Sequence, residues 1–277
     1  DFIDLIIGSE GIFGMITECT LNLDIKPKDS LELFVKLENE DKAILFHQFL
    51  YDKFKGDMSK VTALEYFGYN CHAYMKNKNF LFNNDNEVGL YIQIPILNDD
   101  LDIQTVEWSK LLMQFDSNFN LDDIIVLNDP VNWDKFFQAR HSIPDNALIK
   151  TKQRGGISII TDTIVPIKNF KKYLDKIHIK LRNYNIEYLL FGHLGDCHLH
   201  FHLIPNADQN TLSIEVYDYM VDLSANFGGV YSAEHGTGKR KRNDFKKCYG
   251  EKAVEMVRQS KLSVDSDLLL NRGNVFC

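Results

Sequence analysis

Apolar and polar positions change period several times along the chain, and each change marks an element. Residues 30–37, SLELFVKL, alternate as a half-buried strand does. From Ile44 to Phe54 the apolar residues of DKAILFHQFLYDKF fall at helical spacing, and VTALEYFGY (61–69) and EVGLYIQIPIL (87–97) read as strands. A helix over LDIQTVEWSKLLMQF (101–115), a short strand at DIIVL (123–127) and a helix from Val131 through Ala147 follow. ISIITDTIVPI (157–167) is strand-like up to Pro166, which can neither donate to a ladder nor extend it. The helix NFKKYLDKIHIKLRNY (169–184) leads to the strand EYLLFGHL (187–194), and HLHFHLI (198–204) returns beside it through the GDC turn. A helix over roughly 210–226, a strand at GGVYSAEHG (228–236) running into a loop, and two C-terminal helices complete the pattern. At the N-terminus DLIIGSEGIFGMITECTLNL (4–23) reads as strand, glycine turn and strand. Strands in adjacent pairs separated by helices predict an α+β domain on an antiparallel sheet covered by helices, rather than a doubly wound parallel sheet.

Composition narrows the class without naming a function. Of 277 residues, 44% are apolar and 25% charged, as in a globular domain, and the net charge of −8 argues against a basic surface for nucleic acid. The five cysteines are odd in number and lack a CxxC pair, which disfavours a disulfide framework, a zinc ribbon or a thiolate cluster and fits a reducing compartment. No apolar run reaches the roughly 18 residues that a membrane span needs. The expected location is cytoplasmic, either free or peripheral to a membrane. The first residues lack an initiator Met and a signal-peptide pattern, so the chain is expected to be a piece of a longer one.

The chemistry concentrates in FGHLGDCHLHFHLIP (191–205), which holds four of nine histidines. Strand alternation puts His198, His200 and His202 on one face and Leu199, Phe201 and Leu203 on the other. A hairpin would bring His193 beside His200, and two imidazoles on neighbouring strands start a divalent-metal site that needs a third, preferably anionic ligand. Glu234, in SAEHGTG and followed by His235, is the candidate. A lone strand histidine is ordinarily a satisfied or exposed side chain; the grouping is what points to metal or acid–base chemistry. Cys197, at the turn, reads as a small packing residue. GSEGIFGMITE (8–18) is either a tight turn or a backbone edge for a phosphate or flavin. Six basic residues in GKRKRNDFKK (238–247) read as a solvated helix start. Arg140, near the end of an aromatic-rich helix, either caps that helix or holds a carboxylate by a bidentate pair.

Four motifs in order resemble one family. DLIIGSEGIFGMITECTLNL resembles the end of the FAD-binding domain of vanillyl-alcohol-oxidase type flavoproteins; GHLGDCHLHFHL, GGVYSAEHGTGKRK and LNRGNVF resemble that family's GHxGDGNLHxN, GGSISAEHGxGxxK and NPGK motifs. The chain thus resembles the ferredoxin-like C-terminal cap of FAD-linked D-2-hydroxyacid dehydrogenases, the group of D-lactate dehydrogenase, the glycolate oxidase flavin subunit and D-2-hydroxyglutarate dehydrogenase. The resemblance implies residues 1–27 as the end of the FAD domain, 28–265 as the substrate domain and 266–277 as a segment returning to the FAD domain. It implies a divalent metal, zinc by type, on His193, His200 and Glu234, and His235 as general base. It implies Arg140 on the substrate carboxylate, His202 as a substrate contact, and Gly8, Ser9, Glu10, Gly11, His198 and Asn271 near FAD. The implied chemistry is hydride transfer from C2 of a 2-hydroxyacid to the flavin. FAD would be held mostly by an upstream half, leaving the isolated chain without dehydrogenase activity. His198 and His202 stand where the family carries asparagines, so the specific acid stays open, as does the electron acceptor. A homodimer is compatible with the chain. Two alternatives remain: a metal-independent FAD-linked alcohol oxidase or dehydrogenase, and a non-catalytic metal-binding module.

Overall fold

The computed structural model describes residues 1–97 and 100–276. In chain order the elements are α1 (Phe2–Ile6), β1 (Asp29–Leu37), α2 (Glu40–Lys53), β2 (Ala63–Phe67), α3 (Lys78–Leu81), β3 (Val88–Ile96), α4 (Leu101–Phe115), β4 (Ile124–Val126), α5 (Pro130–Gln153), β5 (Ile159–Ile160), α6 (Ile167–Asn183), β6 (Tyr188–His193), β7 (His198–Leu203), α7 (Asn210–Asn226) and α8 (Arg242–Val264). The strands form one sheet in the order β4-β1-β3-β2-β6-β7-β5, and every pairing in it is antiparallel. The expected α+β antiparallel architecture is what the chain adopts.

Helix starts follow local chemistry. Asn39 and Asp100 accept the amides of Lys42 and Ile103 at the heads of α2 and α4, and Asp129 caps α5 with Pro130 at the first helical position. The sheet is sandwiched. Leu31, Leu33, Val35, Leu64, Leu90, Ile92, Leu199, Phe201 and Leu203 pack one face under α2, α4, α6 and α7. Phe34, Phe67, Tyr91 and Leu189 line the other, against Phe136, Ala139 and Ile143 of α5. The expected half-buried reading of residues 30–37 therefore needs correction, because β1 is buried on both faces. Its polar residues are satisfied internally: Glu32 accepts from Tyr91 and from Gln93 at 2.9 Å, and Lys36 pairs with Asp123 at 3.3 Å.

Three other expectations change. The strand–turn–strand at 4–23 does not form: Asp1 caps the short α1, and among the described residues no strand lies beside residues 13–27 to pair with them. The strand at 157–167 shrinks to β5, after which Asp162 and Ile164 make single bridges to Ser232 and Val230, so 228–236 is not a regular strand either. α5 runs through Pro144 to Gln153, leaving Arg140 in mid-helix rather than at a cap. The two expected C-terminal helices are both present within α8, which is broken at Gly250 (φ 82, ψ 168).

Candidate metal and acid–base site

The β6–β7 hairpin sets the geometry. Glu65 of β2 pairs in register with His193 of β6, and His193 with His198 of β7, so three side chains stand in one rank across three strands. Directly opposed residues share a face, which is the face covered by α5; His200 lies one step along it, diagonal to His193. Ring centroids of His193 and His198 are 5.5 Å apart, and His200 stands 5.6 Å from His193 and 4.6 Å from His198. Gly192 permits this crowding, since a Cβ there would meet His200 Cδ2 at 2.9 Å and its φ is +131°.

Each imidazole is held by an oxygen acceptor. His193 Nδ1 donates to Glu65 Oε1 at 2.5 Å, His200 Nδ1 to the Thr161 carbonyl at 2.9 Å, and His198 Nε2 to Asp162 Oδ1 at 3.0 Å. Nε2 of His200 is thereby left as a lone-pair donor, and Nε2 of His193 becomes one on losing its proton. The Glu65 hydrogen bond, opposed by burial, pushes His193 up to about 9. Burial, reinforced by the neighbouring imidazoles, pushes His200 down. Burial would lift Glu65, but His193 and then Arg140 hold it below its ordinary value.

The loop 232–241 is fastened beneath by Asp162, a carboxylate with no solvent exposure. It accepts the His235 N–H at 2.9 Å, the Glu234 N–H at 3.2 Å, Lys241 Nζ at 3.0 Å and the Ser232 hydroxyl, besides His198. Burial opposes its charge, yet these donors together hold its carboxyl far below the usual range. Lys241, expected in a solvated helix start, thus points inward. Neither Glu65 nor Asp162 was among the candidate residues. Their one signal in the sequence is a carboxylate interrupting an apolar stretch, ALEYF and IITDTIV.

The donor set fits a divalent ion. His193 Nε2 lies 3.4 Å from Glu234 Oε2, and His200 Nε2 lies 3.2 Å from Oε1. The two imidazoles meet different oxygens of that carboxylate, and one ligating atom from each of the three residues lies within 4.8 Å of the others, close enough to share one ion. His235 joins the same edge, with Nε2 3.2 Å from Glu234 Oε1 and its ring stacked on His200 at 5.3 Å. Its side chain is half exposed, so it faces the space outside the cluster.

The remaining candidate residues separate. Arg140 reaches the rank from α5, its guanidinium 3.3 Å from Glu65 Oε2 and still substantially exposed. His202 is buried at the far end of β7; it meets Ser158 Oγ at 3.4 Å, its Nδ1 has no partner, and burial lowers it to about 4. Cys197 occupies a left-handed turn position (φ 63) and packs in the core; burial pushes its thiol up to about 12. At the N-terminus the Glu10 carboxylate receives the amides of Thr237 and Gly238 at 2.5 and 2.8 Å and Asn274 Nδ2 at 2.6 Å, while Asn271 Nδ2 donates to the Glu10 carbonyl at 2.6 Å. Those groups tie residues 8–12 to the His235 loop and the C-terminal segment. Among the described residues no atom lies within 4 Å of a Cβ position at Gly8 or Gly14, so the strip they bound is open to its surroundings.

The model of the family described as FAD linked oxidases, C-terminal domain, matches residues 69–275, and the chain belongs to that family. Over 98% of its length the chain is 24% identical to the mitochondrial D-lactate dehydrogenase [cytochrome] 1 of Saccharomyces cerevisiae, covering 46% of that protein. It is 22% identical to D-2-hydroxyglutarate dehydrogenase of Stutzerimonas stutzeri and 24% to glycolate oxidase subunit GlcD of Bacillus subtilis, over all of this chain and 59% and 57% of theirs. The chain therefore spans about half the length of these relatives. Among solved structures, p-cresol methylhydroxylase with substrate bound aligns over 90% of this chain and 53% of its own (TM-score 0.62, 12% identity). Alkyldihydroxyacetonephosphate synthase aligns over 98% and 49% (TM-score 0.62, 14% identity). Both share the fold.

Proposed function

We propose that this chain is the substrate-side part of an FAD-linked dehydrogenase that oxidises a D-2-hydroxyacid to the 2-oxoacid. The observation that carries the reading is the convergence of His193 and His200 on the two oxygens of Glu234, with His235 against the same carboxylate. The names of the relatives supply the substrate class, D-lactate, glycolate or D-2-hydroxyglutarate.

In this reading His193, His200 and Glu234 hold a zinc-type ion, which when bound supplies a Lewis acid that favours ionisation of the substrate hydroxyl. FAD, when bound, supplies the acceptor for the C2 hydride. The rest is the work of the chain. Glu65 and the Thr161 carbonyl fix the tautomer of the two ligand imidazoles, so that both present Nε2. Asp162 fixes the backbone of Glu234 and His235, keeping carboxylate and base in register. His235 takes the hydroxyl proton and releases it to the exposed side of the loop. Arg140 binds the substrate carboxylate, its charge oriented by Glu65. The segment boundaries at residues 27 and 265 belong to the same proposal.

The test is a panel of D-2-hydroxyacids with a dye acceptor, run on the gene product that carries this chain, with and without chelator. One acid class turned over and lost on chelation is the expected result. Turnover insensitive to chelator would move the site to metal-independent acid–base chemistry. Turnover of none would leave a binding module.

A further inference from the structure

We propose that His198 is a fourth ligand of the ion, making the site one of three imidazoles and one carboxylate; this rests on the metal reading above. A ligating atom from each of His193, His198, His200 and Glu234 lies within 4.8 Å of all the others. The register places His198 directly across from His193 and two residues before His200 on the same strand face, so its ring cannot avoid the space the other two enclose. The arrangement of its two nitrogens repeats theirs. In His193 and His200 one ring nitrogen is held by an oxygen acceptor and the other is left for the ion. In His198 the held nitrogen is Nε2, donated to Asp162 Oδ1 at 3.0 Å, and no protein group takes Nδ1 among the described residues. A carboxylate behind a metal-bound imidazole fixes its ring and raises its basicity, and Asp162 stands to His198 as Glu65 stands to His193.

The burial of the ring supports the same assignment. His198 is 2% exposed, so its ring is largely withdrawn from bulk water, and an ion held by the cluster would give its second nitrogen a partner. Three imidazoles and Glu234 would hold the ion with four protein donors, and such a nitrogen-rich set favours zinc or copper over magnesium or calcium.

Zinc K-edge X-ray absorption of the zinc-loaded 277-residue chain counts the imidazoles directly, and a competition titration gives the zinc Kd. Three imidazoles are expected in the unmodified chain. Two are expected in His198→Asn and in His198→Gln, whose amide N–H still reaches Asp162, with Kd raised about 10- to 100-fold. His235→Gln should leave the count at three, which assigns the third imidazole to His198. Two imidazoles in the unmodified chain, or a count and Kd unmoved by either His198 variant, overturns the assignment. If His200→Ala and Glu234→Ala abolish binding in that case, the metal reading survives alone. If they too change nothing, or the unmodified chain takes up no zinc, both readings fall together.

Discussion

Asp162 accepts the backbone N–H of His235 at 2.9 Å across 73 residues of chain, from a side chain shut off from solvent. Removing it as Asp162→Ala strands the Lys241 ammonium without its carboxylate and frees two loop amides, a change that costs about 3–5 kcal/mol when a buried pair loses one partner. Urea unfolding measures the cost. Asp162→Asn should lose less, because it retains an acceptor for the loop amides. Equal stability of the two variants would show that the loop is not fastened there.

Glu65 acts through His193. Glu65→Gln keeps the size of the side chain but no longer fixes the Nδ1–H tautomer or orients Arg140 by charge, so zinc binding should weaken about 10- to 100-fold with little change in melting temperature. A zinc titration against circular-dichroism melting separates the two effects. An unchanged Kd would reduce Glu65 to an ordinary strand contact.

Gly192→Ala places a methyl 2.9 Å from His200 Cδ2 at a backbone φ of +131°, where no rearrangement of a flexible tip relieves it. Overpacking of this kind costs about 1–3 kcal/mol. The variant should also lose zinc, since His200 must turn. Retained affinity at lower stability would mean that the strand moves as a unit.

Acid should loosen the join between the two ends of the chain. Asp265 is held at about 2, chiefly by its hydrogen bond with Lys261, whose Nζ also donates to the Ile12 and Leu270 carbonyls at 2.6 and 2.7 Å. A carboxyl lowered from an unfolded value of about 3.9 stabilises fully above that pH and loses its effect as pH falls through 2. Amide protection of Ile12, Leu269 and Leu270, corrected for intrinsic exchange, should therefore drop between pH 4 and 2 before the sheet amides follow. Lys261→Met should show the low protection already at pH 7.

The sequence made the hairpin and its imidazoles legible because they are local: alternation in HLHFHL assigns faces, and a short turn dictates antiparallel return. Glu234 and His235 came from their spacing to glycines and from family resemblance. Glu65 and Asp162 were hidden, since the imidazoles they hold lie 128 and 36 residues further along the chain; only sheet order β2-β6-β7-β5 brings them together. Residues 4–23 misled for the converse reason. Their apolar alternation is strand-like, but a strand exists only with a neighbour to pair with, and the short helix α1 needed no more than Asp1 as its cap.

Glu65, the His193–His198 hairpin and Asp162 come from three stretches of chain, which meet only when β2 and the segment after β5 have docked on the hairpin. On the proposed metal reading, ion capture is a clock for the end of folding. A chain stalled with the hairpin formed but β2 and the 232–241 loop undocked offers imidazoles without a carboxylate, and binds the ion weakly at best. Long-range pairings of this kind form slowly. The moment at which zinc becomes resistant to a chelator in a refolding experiment marks the arrival of the last segment, and no fluorescent label is needed to see it.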